Sequence, residues 1–298
     1  MRITVTGAGG FIGSYLVEAL ERRGEVVDGW MRPAVDITDA AAVAHALARF
    51  APDAVVHLAA QSLPTRSWEE PAATYRVNVG GAINVLEGAR VLARPPRVLL
   101  AGSSAEYAEP ADGQPIAEDA PSAPNSPYAS SKFAVHQLGG MYGLRYGLHV
   151  VRFRPFFLVG PRKAGDVCSD FARRVVAIER GAEPTMRVGD LTGVRDMIDV
   201  RDGVTALLRL IDAGGAGEVY NICGGRGVRI SDILAAYRRL ATVPVAVVED
   251  PVLMRPLEHA IKVGDPTKLR ALGWSPAYAF DETLRAILDY SRGLDSPR

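Results

Sequence analysis

MRITVTGAGGFIGSYLVEALERRG, residues 1–24, is the stretch whose reading decides the fold. Arg2 to Thr6 is a short β-branched apolar run, the pattern of a buried strand. Phe11 to Arg22 then carries Ile12, Leu16 and Leu20 four positions apart, which lays them on one face of a helix. Between the two, Thr6-Gly7-Ala8-Gly9-Gly10-Phe11-Ile12-Gly13 places glycines at 7, 10 and 13. Bare backbone there lets a phosphate approach closely, and the N–H groups that open the helix receive its charge. The strand before and the helix after set this apart from an ordinary glycine turn.

Outward from that unit the pattern repeats. Glu25 to Trp30, Asp53 to Leu58, Arg97 to Gly102 and His149 to Arg154 read as further strands. Helical periodicity fills Asp39 to Phe50, Ala73 to Ala93 and Pro127 to Arg145, with Thr38 or Asp36 as the cap of the first. This alternation predicts an α/β fold built on a Rossmann-like doubly wound parallel sheet. Beyond Arg154 it gives way to helices near Ser169 to Arg180 and Arg201 to Ala213, a strand at Glu218 to Ile222 and a closing helix at Asp281 to Arg292. The expected division is a dinucleotide-binding domain over residues 1–155, completed by about 199–222. Residues 156–198 and 223–298 form a smaller C-terminal α/β substrate-binding region.

The tip of the second strand bears on the cofactor. An acidic residue there would hold the ribose hydroxyls of NAD. Asp28 lies inside the strand, and the tip itself reads Trp30-Met31-Arg32. A cation at that point suits the extra phosphate of NADP, so NADP(H) is favoured with NAD(H) as the alternative.

Composition narrows the partners. Among 298 residues, 34 Lys+Arg balance 34 Asp+Glu, which removes a bulk electrostatic drive toward nucleic acid or an anionic membrane. No uncharged apolar run approaches the ~20 residues of a spanning helix, and no secretory signal opens the sequence. Cys168 and Cys223, far apart and without neighbours at metal-ligand spacing, predict reduced thiols, no metal site and a cytoplasmic location.

Two further segments carry chemistry. Tyr128-Ala129-Ser130-Ser131-Lys132 sets a phenol and an ammonium four residues apart on one helix face. The sequence has 10 tyrosines and four lysines, so chance supplies only about 0.13 of such a pair. The ammonium is expected to lower the phenol pKa from about 10 and make Tyr128 a general acid or base. Ser103-Ser104-Ala105-Glu106 follows the fourth strand, at the carboxyl edge where open α/β sheets bind ligands.

Taken in this order, Gly7, Gly10, Gly13, Ser104, Tyr128 and Lys132 resemble the extended short-chain dehydrogenases/reductases of the nucleotide-sugar epimerase and dehydratase group. His57-Leu58-Ala59-Ala60, Asn78-Val79-Gly80-Gly81, Arg154-Pro155-Phe156 and Arg195-Asp196 extend the likeness along most of the chain. Within the group it looks most like the GDP-4-keto-6-deoxy-D-mannose reductases, on Gly102 to Tyr107, Val188-Gly189-Asp190, Met254 to Glu258 and Gly264 to Leu269.

The resemblance implies a dinucleotide over Gly7, Gly10, Phe11, Ile12, Gly13, Leu58, Ala59 and Ala60, with Arg32 at its phosphate and Asp36 and Ile37 flanking adenine. Tyr128 would donate the proton, Lys132 would touch both Tyr128 and the cofactor ribose, and Ser104 with Ser103 would hold the sugar C4 oxygen. Arg195, Arg255 and Glu258 would engage a GDP-linked sugar, and Glu106 would face the substrate as the acid/base of a dehydratase. A homodimer through the helices at Ala73 to Ala93 and Pro127 to Arg145 is also implied. One departure stands out: Phe157 occupies the position where relatives commonly carry asparagine after Arg-Pro-Phe. The implied activity is NAD(P)H-dependent reduction of a 4-keto-6-deoxy sugar nucleotide, GDP-4-keto-6-deoxy-D-mannose to GDP-D-rhamnose. The alternatives are a 4,6-dehydratase or 4-epimerase, and a non-catalytic dinucleotide sensor or scaffold.

Overall fold

The computed structural model describes residues 1–110, 113–253 and 261–294. Strand β1 (Arg2–Thr6) buries four of its five residues, and α1 (Phe11–Arg22) returns over it with Leu16 and Leu20 inward. Strand β2 (Val26–Trp30) leads to α2 (Ala40–Phe50), then β3 (Ala54–His57). The cap of α2 is Asp39, whose carboxylate accepts from the Ala41 and Ala42 N–H groups at 2.9 and 3.0 Å. Thr38 and Asp36, the expected caps, are bonded to each other in the preceding turn instead.

After the short α3 (Pro64–Glu69), the helix expected over Ala73 to Ala93 runs as α4 (Pro71–Tyr75), a π-helical turn at Arg76–Gly80 and α5 (Gly81–Arg90), ending three residues early. Prolines begin α3 and α4, where a missing N–H costs nothing. The π turn presents Asn78, which donates to the Gln61 carbonyl and to Ser131 Oγ. Strand β4 (Arg97–Ala101) then runs toward α6 (Pro127–Tyr146), capped by Ser126 Oγ on the Ala129 N–H and ended by Gly147 at φ +66°. Strand β5 (Val150–Pro155) follows.

The second half supplies β6 (Phe157–Val159), α7 (Val167–Glu179), β7 (Met186–Val188), β8 (Val194–Asp199) and α8 (Val200–Ala213). Next come β9 (Val219–Ile222), β10 (Gly227–Arg229), α9 (Ile230–Leu240), β11 (Val247–Glu249), β12 (Ile261–Lys262), α10 (Thr267–Ala271) and α11 (Phe280–Leu294).

A parallel sheet in the order β2-β1-β3-β4-β5-β9 organises the first half, so β9 returns from the far half to complete it. The chain reverses its winding between β1 and β3, and the carboxyl ends there bound the crevice in which doubly wound sheets hold ligands. On one face Ile3, Val5, Leu16, Leu20 and Leu207 form a core beneath α1 and α8. On the other, Val55, Val98, Leu100, Leu47 and Leu86 pack beneath α2 and α5. A separate core joins α7, α9 and α11 around Phe171, Val175, Tyr237 and Leu284. There β8 pairs with β10, β12 and β6, while β7 pairs with β11. Among the described residues no helix is long and apolar enough to cross a membrane.

Candidate active site

The glycine loop is shaped by contact. Gly7 has φ +71°, and a Cβ there would stand 2.8 Å from the Ala59 nitrogen. A Cβ on Gly13 would stand 2.1 Å from the Gly7 carbonyl oxygen, so α1 leaves the loop with no room for a methyl group. Ala59 N–H donates to Thr6 Oγ1 at 3.1 Å, which pins the Leu58-Ala59-Ala60 segment beside the loop. Gly10 caps α1 without a side-chain acceptor and no acid occupies its first turn, so the helix N-terminus keeps its positive end for an anion. The cradle fits a dinucleotide pyrophosphate.

At the tip of β2, Arg32 and Asp36 form an ion pair at 3.1 Å with side chains 64% and 41% exposed. Ile37 is buried against α5, where a Cβ on Gly81 would meet its Cδ1 at 2.5 Å.

The chemistry-bearing groups collect where β4 ends. Ser103 opens a 3₁₀ turn over Ser104–Glu106, its Oγ accepting from the Ala105 N–H at 3.1 Å. Both serines are almost fully buried. Tyr128, half-buried in the first turn of α6, is hydrogen-bonded through its hydroxyl to the Ser103 side chain. One helical turn later, buried Lys132 donates from Nζ to the Ala101 carbonyl at 3.0 Å.

The electrostatics differ from the expectation that Lys132 lowers the Tyr128 pKa. Burial raises the Tyr128 pKa, the Ser103 bond opposes that rise, and the Glu106 charge adds to it. The Lys132 ammonium is spent on the end of β4, and burial lowers its own pKa to about 8 against the pull of Glu106. Of the two adjacent serines it is Ser103 whose side chain acts on the phenol, a choice that depends on the turn and is not written in the sequence.

Glu106 requires a second correction. It was expected to face substrate, yet it is fully buried. Its Oε1 accepts from the Ser103 N–H at 2.7 Å and its Oε2 from Arg154 Nε at 2.8 Å. Arg154 also donates to the Tyr107 hydroxyl at 2.8 Å and to the Glu118 carbonyl at 3.0 Å. The signal for this was present: Ser103-x-x-Glu106 is the spacing of a capping box.

On the second sheet, Arg195 lies over the Phe157 ring at 5.7 Å and pairs across strands with Lys262. Lys262 escaped sequence reading because a two-residue strand has no period to reveal its face. Asp196, next to Arg195, is buried and accepts from the N–H groups of Gly224, Gly225 and Gly264 at 2.7, 2.8 and 3.1 Å. Arg255 and Glu258 lie outside the described residues. A cleft of about 580 Å³ between α7, β7 and β11 is lined by Arg174, Arg187, Asp250 and Leu253, and none of Ser104, Tyr128 and Lys132 borders it.

A glycine cradle at the switch point, beside serine, tyrosine and lysine at the next strand end, defines a dinucleotide-dependent α/β oxidoreductase. The family model described as NAD dependent epimerase/dehydratase family matches residues 3–223, and the chain belongs to that family. It is 34% identical over 241 residues to the GDP-6-deoxy-D-mannose reductase of Pseudomonas aeruginosa, covering 80% of this chain and 79% of that one. It is also 31% identical to a UDP-glucose 4-epimerase of Mycolicibacterium smegmatis, covering 98% and 99%. RMD from Pseudomonas aeruginosa complexed with NADPH superposes with a TM-score of 0.91 at 32% identity, covering 98% and 99%. The UDP-glucose 4-epimerase of Thermus thermophilus complexed with NAD gives 0.87 at 32%, again covering 98% and 99%.

Proposed function

We propose that the protein reduces the C4 ketone of a nucleotide-linked 4-keto-6-deoxy sugar, GDP-4-keto-6-deoxy-D-mannose to GDP-D-rhamnose, with NADP(H) favoured over NAD(H). The observation that carries this reading is Tyr128, hydrogen-bonded to Ser103 and kept in its neutral form by its surroundings, at the carboxyl edge beside the glycine cradle. A neutral phenol is the form that donates a proton. Reduced nicotinamide, when bound, supplies the hydride that makes the ketone an alkoxide. Tyr128 gives its hydroxyl proton to that oxygen, its own O–H bond breaking as the product's forms, and solvent restores the proton. Ser103 and Ser104 would hold the oxygen, and Lys132, whose ammonium donates to the Ala101 carbonyl, would also touch the cofactor ribose.

Gly7, Gly10, Phe11, Ile12 and Gly13 receive the pyrophosphate, Leu58, Ala59 and Ala60 line the crevice, and Arg32 meets the ribose phosphate of NADP while Asp36 and Ile37 flank adenine. Arg195 and Lys262 form a cationic pair suited to the sugar-nucleotide diphosphate, with Arg255 and Glu258 assigned there from the sequence. The burial of Glu106 speaks against a 4,6-dehydratase, which needs an acid/base within reach of the sugar ring. Two buried free cysteines suit a cytoplasmic location. A homodimer through α5 and α6 accounts for Leu144, 92% exposed, beside exposed Met141 and Tyr146.

The test is to supply GDP-4-keto-6-deoxy-D-mannose with NADPH and follow the absorbance of the reduced nicotinamide. Stoichiometric loss is expected. Turnover of a UDP- or GDP-sugar with no net change in absorbance would establish the epimerase or dehydratase reading instead. NADPH binding without turnover across a panel of sugar nucleotides would leave a sensor.

A further inference from the structure

The loop between β6 and α7, residues 160–166, takes no part in the steps above. We propose that Lys163, carried on this loop, is a cofactor-binding residue whose ammonium meets the dinucleotide diphosphate at the first turn of α1. This rests on the reading of the glycine cradle as the diphosphate site, and not on the reduction of a ketone.

The loop is fastened to α1 by side chains of that helix. The Tyr15 hydroxyl donates to the Pro161 carbonyl at 3.0 Å. The Arg162 guanidinium lies 3.8 Å from the centre of the Tyr15 ring, and its Nη1 and Nη2 donate to Glu18 Oε1 and Oε2 at 2.5 and 3.1 Å. An exposed ion pair adds little stability by itself, but two parallel bonds and a stacked ring fix a direction for the backbone. That backbone is left-handed at Arg162, with φ +71°, a conformation that a residue carrying a Cβ adopts only at a cost. The cost falls where the chain delivers the next residue to the mouth of the cradle.

Lys163 is that residue. Its Nζ stands 5.5 Å from the centre of the Phe11 ring, Phe11 being the first residue of α1, and its side chain is 24% exposed. An ammonium has three donors. One goes to the Leu158 carbonyl at 2.6 Å. The neighbouring carboxylate of Asp166 is occupied elsewhere. Its Oδ1 accepts from the Cys168 and Ser169 N–H groups at 2.8 and 3.2 Å, capping α7, and its Oδ2 stays 3.8 Å from Nζ, beyond hydrogen-bond range. A cation is thus placed beside the positive end of a helix that has no acid in its first turn. Two like charges so placed repel until an anion joins them, and a diphosphate is the anion that the bare glycine backbone admits.

The test is binding, read without turnover. NADPH and NADH are titrated, by the fluorescence of the reduced nicotinamide, against the native protein, Lys163→Met and Lys163→Arg at low and high salt. Lys163→Met is expected to weaken the dinucleotide that the native protein binds about tenfold, as for the loss of one charge-assisted hydrogen bond. Its Kd should also depend less steeply on salt. Lys163→Arg keeps a cation and should recover most of the affinity together with the native salt dependence. Unchanged affinity in Lys163→Met overturns the proposal. So does a weakened affinity that keeps the native salt dependence or that Lys163→Arg does not recover, the mark of a lysine that only holds the Leu158 carbonyl. If Lys163→Met does not fold, Lys163→Gln, which retains a donor and removes the charge, is judged by the same outcomes. GDP is titrated by calorimetry in parallel: weakened GDP binding with native dinucleotide affinity overturns the proposal and assigns Lys163 to the diphosphate of the sugar nucleotide. Native protein that binds neither dinucleotide sinks the cradle reading and this proposal with it. The expected binding pattern in a protein that reduces no keto sugar would sink the reductase reading alone and leave Lys163 at the cofactor.

Discussion

The turn after β4 and the sheet around β8 each bury a carboxylate, and they do so by opposite means. Glu106 is satisfied by the Arg154 guanidinium from β5 as well as by one N–H, so its surroundings exist only when a distant strand has assembled. Asp196 is satisfied by backbone alone, from Gly224, Gly225 and Gly264. Each arrangement suits its task. A carboxylate tied to a side-chain guanidinium holds its turn through a tertiary contact, whereas one tied to backbone amides staples the Gly224 and Gly264 loops to β8. Perturbing the first region should change turnover and proton chemistry; perturbing the second should change stability and substrate affinity.

The largest expected effect tests the first half of that contrast. Tyr128→Phe should lower kcat by about 100- to 10,000-fold with NADPH binding intact by fluorescence titration, and full activity would defeat the assignment. Asp196→Ala should then cost at least about 3 kcal/mol, since three N–H groups lose their acceptor; chemical denaturation reads this, and wild-type stability would erase the distinction between the regions. Arg195→Met should raise KM about tenfold while kcat holds, the sign of binding that is equal in ground and transition states. A change in kcat alone would move Arg195 into the chemical half.

The smallest effect concerns pH. Burial lowers His57 to about 3, with Lys132 adding to the effect, and His136 falls to about 3 as well. Below the ordinary value of 6.5 the unfolded chain takes up protons that the folded chain refuses. Stability is therefore complete above pH 6.5 and declines as pH falls toward 3, by about 1 kcal/mol per histidine near pH 5.5. Urea midpoints across that range give the slope, and a flat profile would mean that the two rings are not held neutral.

Much of this was legible in the residues, for physical reasons. The central strands are buried on both faces, so Val98–Ala101 appears as an unbroken apolar run and Arg2–Thr6 as a β-branched one whose threonines are buried as well. Helix α6 announced itself through Pro127 and its spacing, and Tyr128 and Lys132 through their four-residue separation. The three-residue strands β6, β7, β10 and β11 are too short for alternation to register. The π turn before α5 follows from Asn78 finding partners on Gln61 and Ser131, a tertiary cause that local pattern does not contain. The same holds for Glu106. Its charge reads as catalytic in one dimension, and only the approach of Arg154, 48 positions later, reveals the pair.

The cradle at Gly7 and Gly13 has a practical corollary for redesign. With a would-be Cβ on Gly13 at 2.1 Å from the Gly7 carbonyl and one on Gly7 at 2.8 Å from the Ala59 nitrogen, those two positions admit no side chain. Arg32, by contrast, stands mostly in water at the tip of β2. Under the proposed role of Arg32 at the ribose phosphate, switching between the two common nicotinamide currencies would leave the glycines untouched and work at that exposed guanidinium.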